Sequence, residues 1–317
     1  MVESSARSSS DHPACHTRAM SRATLPSGIE LEYDTFGSPD DPAVLLVMGF
    51  TAQMIAWDEG FCRQIADRGR HVIRFDNRDC GLSSKLDGQH IDGGAVMAAA
   101  IAGGELPPVP YTLSEMAADA IGLLDHLGIG RAHVVGASMG GMIVQTLAVE
   151  HPERLLSVTS VMSTVGDPSV GAAAPEAMAV LLSPPPDTRD EIVARSAQLA
   201  VWSSKRYFDP ERAADLAGRN YDRCHYPEGA TRQLAAIFAS GDRTDRLRDV
   251  STPVLVIHGL DDRLIDPSGG RRTAEVVPGA HLLEIADMGH DLPKPLWPLI
   301  VGAIVAHTEI SAPVAAS

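Results

Sequence analysis

Along the chain, short runs of Val, Ile, Leu and Ala alternate with longer stretches in which apolar residues return every three or four positions. Such short runs read as strands buried on both faces, because a strand covered by helices has no solvent side to alternate toward. The pattern predicts strands at Ile29–Phe36, Ala43–Met48, His71–Phe75, Ala132–Gly136, Leu156–Met162, Pro253–His258 and His281–Ile285. Helices are predicted between them. In Trp57–Arg68, "WDEGFCRQIADR", Phe61 and Ile65 fall on one face, and Thr112–Leu127 opens with Thr112 followed three residues later by Glu115, a capping box. A last helix is expected near Leu296–His307. This alternation predicts an α/β protein: a mostly parallel β-sheet with helices on both faces.

Two stretches interrupt it. From Gly166 to Asp249 there is Pro-rich "LLSPPPD", helical patterning and a set of aromatics, but no convincing strand. It reads as a helical cap or lid insertion (166–249) in a core made of 21–165 and 250–310. Lys85–Tyr111, with "GQHIDGG" and "GGELPPVP", reads as an irregular loop over the same side of the sheet. No internal repeat is apparent.

The ends are read from composition. Residues 1–20 are polar and lack the apolar core of about 7–15 residues that a secretory signal needs, so a disordered extension is expected, with Met20 as an alternative start. A flexible tail is expected over 311–317. "VMAAAIAGG" is far short of the roughly 20 apolar residues that cross a bilayer, and the default location is cytoplasmic.

Charge narrows the partners. With a formal charge of −15 and no Lys/Arg clusters, the chain is a poor match for nucleic acid. Cys15, Cys62, Cys80 and Cys224 form neither CxxC pairs nor a dense framework, so reduced thiols are expected, with no metal and no cofactor. Oligomeric state is not encoded in any pattern readable from one chain.

The chemistry centres on "VVGASMGGMIVQ", where an apolar strand runs into an apolar helix with Ser138 at the hinge. Gly136, Ser138 and Gly140 form G-x-S-x-G, a nucleophile on a sharp strand-to-helix turn whose glycines leave room for the strained backbone. The bare motif arises by chance in roughly one chain in ten of this length, so its setting between strand and helix carries the reading. A serine needs a base, and a carboxylate to orient that base. Of the 12 histidines, His290 in "IADMGHDLP" follows the last strand in a Gly-containing loop, at the edge where such sheets present their sites. For the acid, "PVLVIHGLDDRLIDP" offers Asp261, Asp262 and Asp266.

In the order Ser138, Asp262, His290, and in "GASMGG", "HGLDD" and "MGHDLP", the chain from about Thr24 to His307 resembles the α/β-hydrolase superfamily. The resemblance to HG-x-x-D is what selects Asp262. It also implies an oxyanion hole from the backbone N–H groups of Phe50 and Met139, with Met48 standing where the family usually carries a histidine. "HVIRFDNRDCGLSS" resembles the family's D-x-R-G-x-G-x-S segment, with Asp79 at a usual glycine position and Asp76 and Arg78 read as scaffold. At closer range the motifs are similar to those of actinobacterial serine esterases, such as aclacinomycin methylesterase, and of mycobacterial lipase-like relatives.

The implied activity is ester hydrolysis by a Ser-His-Asp triad through an acyl-enzyme. Cofactor-free haloperoxidases, or perhydrolases, and carbon–carbon bond hydrolases of the same family share the triad and stand as alternatives. Epoxide hydrolases and dehalogenases carry Asp where Ser138 stands, which argues against both. A non-catalytic protein binding a small ligand is the remaining class, and complete triad candidates count against it. The expected partner is a small-molecule, mostly apolar ester, with Trp57, Met139, Trp202, Tyr207 and Phe238 as candidate contacts and Trp297 as packing.

Overall fold

The apolar runs become one eight-stranded sheet in the computed structural model, which describes residues 21–184 and 186–311. The expected extension over 1–20, and the tail apart from Ser311, lie outside the described residues. The strands are β1 (Ser21–Thr24), β2 (Glu30–Phe36), β3 (Ala43–Val47), β4 (His71–Phe75), β5 (Ala132–Ala137), β6 (Leu155–Val161), β7 (Val254–Gly259) and β8 (His281–Ile285). Before β6 come the helices α1 (Glu59–Ala66), α2 (Gly93–Ala102), α3 (Leu113–His126) and α4 (Met139–Glu150). Between β6 and β7 lie α5 (Pro175–Leu182), α6 (Arg189–Arg195), α7 (Pro210–Arg223), α8 (Glu228–Ser240) and α9 (Thr244–Leu247). The chain continues through α10 (Ser268–Val276) and α11 (Trp297–Ile310).

Across the sheet the order is β1-β2-β4-β3-β5-β6-β7-β8, antiparallel at β1/β2 and β2/β4 and parallel elsewhere. Strand side chains alternate between faces. In β3, Leu45 and Val47 join Leu113 and Leu124 of α3 and Ile143 of α4, whereas Val44 and Leu46 join Phe61 and Ile65 of α1 and Ile300 and Ile304 of α11. All five β3 residues are buried, which is why this strand reads as an unbroken apolar run. Each large side chain so removed from water contributes about 1.5–3 kcal/mol.

Local chemistry sets the helix ends. The Thr112 hydroxyl accepts from Ser114 N, 3.2 Å away, and Glu115 reaches back to accept from Thr112 N at 2.7 Å, closing the capping box that starts α3. Asp58 starts α1 by accepting from Gly60 N at 2.8 Å.

Two elements depart from the sequence reading. β1 is a four-residue edge strand, too short and too exposed to show alternation. Within 85–111, read as irregular, α2 forms between the Asp92 cap and Gly103 in the left-handed region. Its sequence, GGAVMAAAIA, is small and apolar around the whole circumference, so no polar face marks a helical period. Among the described residues, no helix is long and apolar enough to cross a membrane.

The topology creates the site. From β3 the chain moves to β4 on one side, then returns to lay β5 on the other side of β3. The segments leaving the carboxyl ends of β3 and β5 therefore lie side by side at a crevice. They carry Phe50 and Ser138 respectively.

Candidate active site

Ser138 sits between β5 and α4 with φ 57° and ψ −120°, a region that costs a non-glycine residue strain of order 1–3 kcal/mol. The surroundings hold it there: Ser138 N donates to Val161 O at 2.9 Å, and its carbonyl accepts from Ser163 Oγ at 2.8 Å and from Gly141 N at 2.9 Å. The flanking glycines are required by close approach. A Cβ on Gly136 would lie 2.0 Å from Gly140 O, and one on Gly140 would lie 2.1 Å from Val47 O. Gly49 faces the serine itself, since a Cβ there would meet Ser138 Cβ at 2.9 Å.

His290 lies 152 residues from Ser138 in the chain, yet its Nε2 is 2.9 Å from Ser138 Oγ and its Nδ1 is 2.8 Å from Asp262 Oδ2. An ionised carboxylate only accepts, so Nδ1 carries the proton and Nε2 is left to accept from the serine hydroxyl. The loop is fixed from the α6–α7 side: His290 N donates to Trp202 O at 2.7 Å, and Asp291 Oδ1 accepts from Ser204 N at 3.0 Å and Gly289 N at 3.2 Å.

Asp262 is buried, and every direction around its carboxylate is occupied. Oδ1 accepts from Leu264 N and Ile265 N, both at 2.9 Å. His258, absent from the sequence reading as a site residue, adds Nε2 at 3.3 Å from Oδ2 while lying 2.9 Å from Ile265 O. Burial pushes the Asp262 carboxyl up, but the charge of His290 and the hydrogen bonds from His258 and His290 outweigh it and bring it to about 2. The other two carboxylates are used elsewhere: Asp261 pairs with Lys205 at 3.2 Å, and Asp266 accepts from Ser268 N at 2.9 Å where α10 begins.

The Phe50 N–H leaves the end of β3 and the Met139 N–H is the first of α4; among the described residues neither meets a protein acceptor. Met48 stands at the usual histidine position, and its carbonyl accepts from Asn77 Nδ2 at 2.9 Å, which steadies the backbone before Gly49. Asp76 accepts from Met54 N (2.7 Å), Leu82 N (2.8 Å) and Arg223 (2.6 Å). Arg78 makes a two-pronged pair with Asp119 at 2.6 and 2.7 Å.

Ser138 and His290 open into a cavity of about 1000 Å³ whose outer wall comes from the segment between β6 and β7, including Leu199, Leu216 and Tyr221. Of the candidate contacts, Trp202 and Tyr207 line it. Trp57, Met139 and Phe238 do not. Trp57 is 1% exposed and stacks on Phe61 at 5.6 Å between ring centroids, in the core with Trp297, and the Met139 side chain is buried against the other face of the sheet. Phe238 is half-buried on α8, away from the cavity. In sequence an aromatic for the core and one for a cavity look alike.

The chain belongs to the α/β-hydrolase fold family, whose model matches residues 42–293. Among curated relatives it is 30% identical to rhodomycin D methylesterase DnrP of Streptomyces peucetius, over 89% of this chain and 95% of that enzyme. It is 27% identical to 3-oxoadipate enol-lactonase 2 of Acinetobacter baylyi, over 83% and 86% of the two chains. Among solved structures, the enol-lactonase from Burkholderia xenovorans superposes with a TM-score of 0.67 at 24% identity, covering 91% of this chain and all of that one. A meta-cleavage product hydrolase from Pseudomonas fluorescens gives 0.73 at 17% identity, over 92% and 98%; both superpositions speak for the fold.

Proposed function

We propose that this chain is a carboxylic ester hydrolase acting through an acyl-enzyme on Ser138, with His290 as general base and acid and Asp262 as its orienting carboxylate. The observation that carries the reading is the single imidazole bridging Asp262 at 2.8 Å and Ser138 at 2.9 Å. His290 takes the hydroxyl proton as Oγ attacks the ester carbonyl, then returns it to the departing alcohol; water repeats the sequence in reverse and frees the acid. The Phe50 and Met139 amides, the latter at the positive end of α4, stabilise the oxyanion.

The segment 166–249 serves as a cap over the cavity, and the substrate is a bulky, mostly apolar ester. A volume of about 1000 Å³ stands at the upper end of small-molecule sites, roughly 300–1,000 Å³. The likeness to rhodomycin D methylesterases supports a small alkyl group on the alcohol side.

The test is Ser138→Ala assayed on a short p-nitrophenyl ester. Turnover is expected to fall on the order of 10⁶-fold in kcat with the circular dichroism spectrum unchanged. A fluorophosphonate should label the wild type at Ser138. Turnover retained by the variant would remove the serine from the mechanism.

A further inference from the structure

Gln233, on α8, is wholly buried, and both ends of its amide are engaged by segments on which the site depends. Its Oε1 accepts from Thr51 N at 2.8 Å, and its Nε2 donates to Arg78 O at 2.9 Å. Thr51 follows Phe50 directly and holds φ 57°, a left-handed conformation that a β-branched residue rarely adopts. The turn after β3 thus depends on outside support. On its other flank, Gly49 is pressed against Ser138, and Cys80 Sγ lies 3.3 Å from Thr51 O. The only side-chain acceptor for the Thr51 N–H among the described residues comes from 182 positions further along the chain.

From this arrangement we infer that Gln233 is a positioning residue: α8 sets the direction of the Phe50 N–H by holding the next amide, and so tunes oxyanion stabilisation from the cap. The inference rests on the ester-hydrolase reading. Gln233 does not itself line the cavity, so loss of this bond removes no side chain from the wall; it turns the Phe50–Thr51 peptide and, through the Phe50 backbone, the neighbouring peptide that carries the oxyanion donor. An interaction made only with the developing charge appears in kcat, whereas a contact with bound substrate appears in KM.

Gln233→Met keeps the side-chain volume and removes both hydrogen bonds. On a short p-nitrophenyl ester its kcat is expected to fall roughly 10- to 100-fold, the scale of a misplaced oxyanion donor, with KM within about twofold. Labelling of Ser138 by a fluorophosphonate should slow in parallel, because its attack also places charge on an oxygen in the hole. The conservative variant Gln233→Glu supplies the rescue. Its carboxylic acid, when protonated, accepts from Thr51 N and donates to Arg78 O as the amide does, so its kcat relative to wild type should approach unity at low pH and decline as pH rises.

A Gln233→Met enzyme with unchanged kcat and labelling rate would overturn the inference. So would a loss shared equally between kcat and KM with no pH-dependent rescue in Gln233→Glu, which marks a purely structural role. Wild type that hydrolyses esters beside an equally fast variant removes this inference alone. Wild type that neither hydrolyses nor labels removes the ester-hydrolase reading as well.

Discussion

The two halves of the segment between β6 and β7 are attached to the rest of the molecule by different chemistry. In the first half, α5 is tied to the core by an ion pair between Glu176 and Arg263, and α6 to α7 by Arg189 with Asp222, all side chains 45–55% exposed. Neither helix buries much: α5 has one buried residue, Ala177, and α6 has none. In the second half, Arg223 at the end of α7 reaches Asp76 at 2.6 Å, and Arg232 of α8 reaches Asp79 at 2.8 Å, with side chains 0–9% exposed. Both carboxylates lie on the segment after β4, next to the turn that carries Phe50.

Exposed pairs are screened by water and contribute little, while buried charges cannot be separated without leaving one of them unpaired in a medium of low polarity. α8, which buries Gly229, Arg232, Gln233, Ala235 and Ala236, is therefore bound firmly to the core, whereas α7 buries only Gly218 and is held through the Arg223 pair at its end. In the first half, α5 and α6, which line the cavity through Val180 and Ile192, are held by exposed ion pairs, whereas Trp202 and Ser204 beyond them are tied to the His290 loop.

The contrast can be broken most directly at Arg232. Arg232→Met leaves the Asp79 carboxylate buried without its partner, and urea unfolding should show a loss of about 3–5 kcal/mol. A loss below about 1 kcal/mol would put the two halves on the same footing.

An anchor inside the sheet gives a middle value. Asp262 is held at about 2 against an ordinary 3.8. A carboxyl lowered by folding contributes stability that is complete above its unfolded value and disappears as pH falls through its folded value, worth about 2 kcal/mol here. Unfolding curves from pH 6 down to pH 2 (about the folded value) should show the wild type losing that much more than Asp262→Asn. Parallel curves would mean that Asp262 is not held down by its histidines.

The smallest effect belongs to the first half. Arg189→Ala should leave the urea midpoint almost unchanged, and the small difference should shrink as salt is raised. A midpoint shift as large as that of Arg232→Met would show that the exposed pair holds α6 as firmly as the buried pair holds α8.

How much of this could be read from the sequence depends on how far each feature reaches. The sheet was legible because each central strand is apolar on both faces, as Val44 to Val47 show, and α3 because Thr112 and Glu115 cap it within one turn. α2 was missed because an all-small, all-apolar helix lacks a period, and β1 because four edge residues carry no pattern. Trp57, Met139 and Phe238 are candidate contacts in the sequence yet lie off the cavity, because a sequence shows large apolar side chains without showing which side of a wall they face.

By itself, then, the sequence determined what neighbours in the chain can decide: the alternation of strand and helix, and the glycines at 136 and 140 that the sharp turn at Ser138 demands. Only the tertiary structure decided what depends on residues brought together from far apart. That includes the His258 contact with Asp262, the grip of Trp202 and Ser204 on the His290 loop, and the amide of Gln233 beneath Thr51. The reason is physical. A turn or a cap is satisfied within a few residues, whereas a buried donor takes whatever acceptor the packing of the whole chain delivers, and no local pattern records which one that will be.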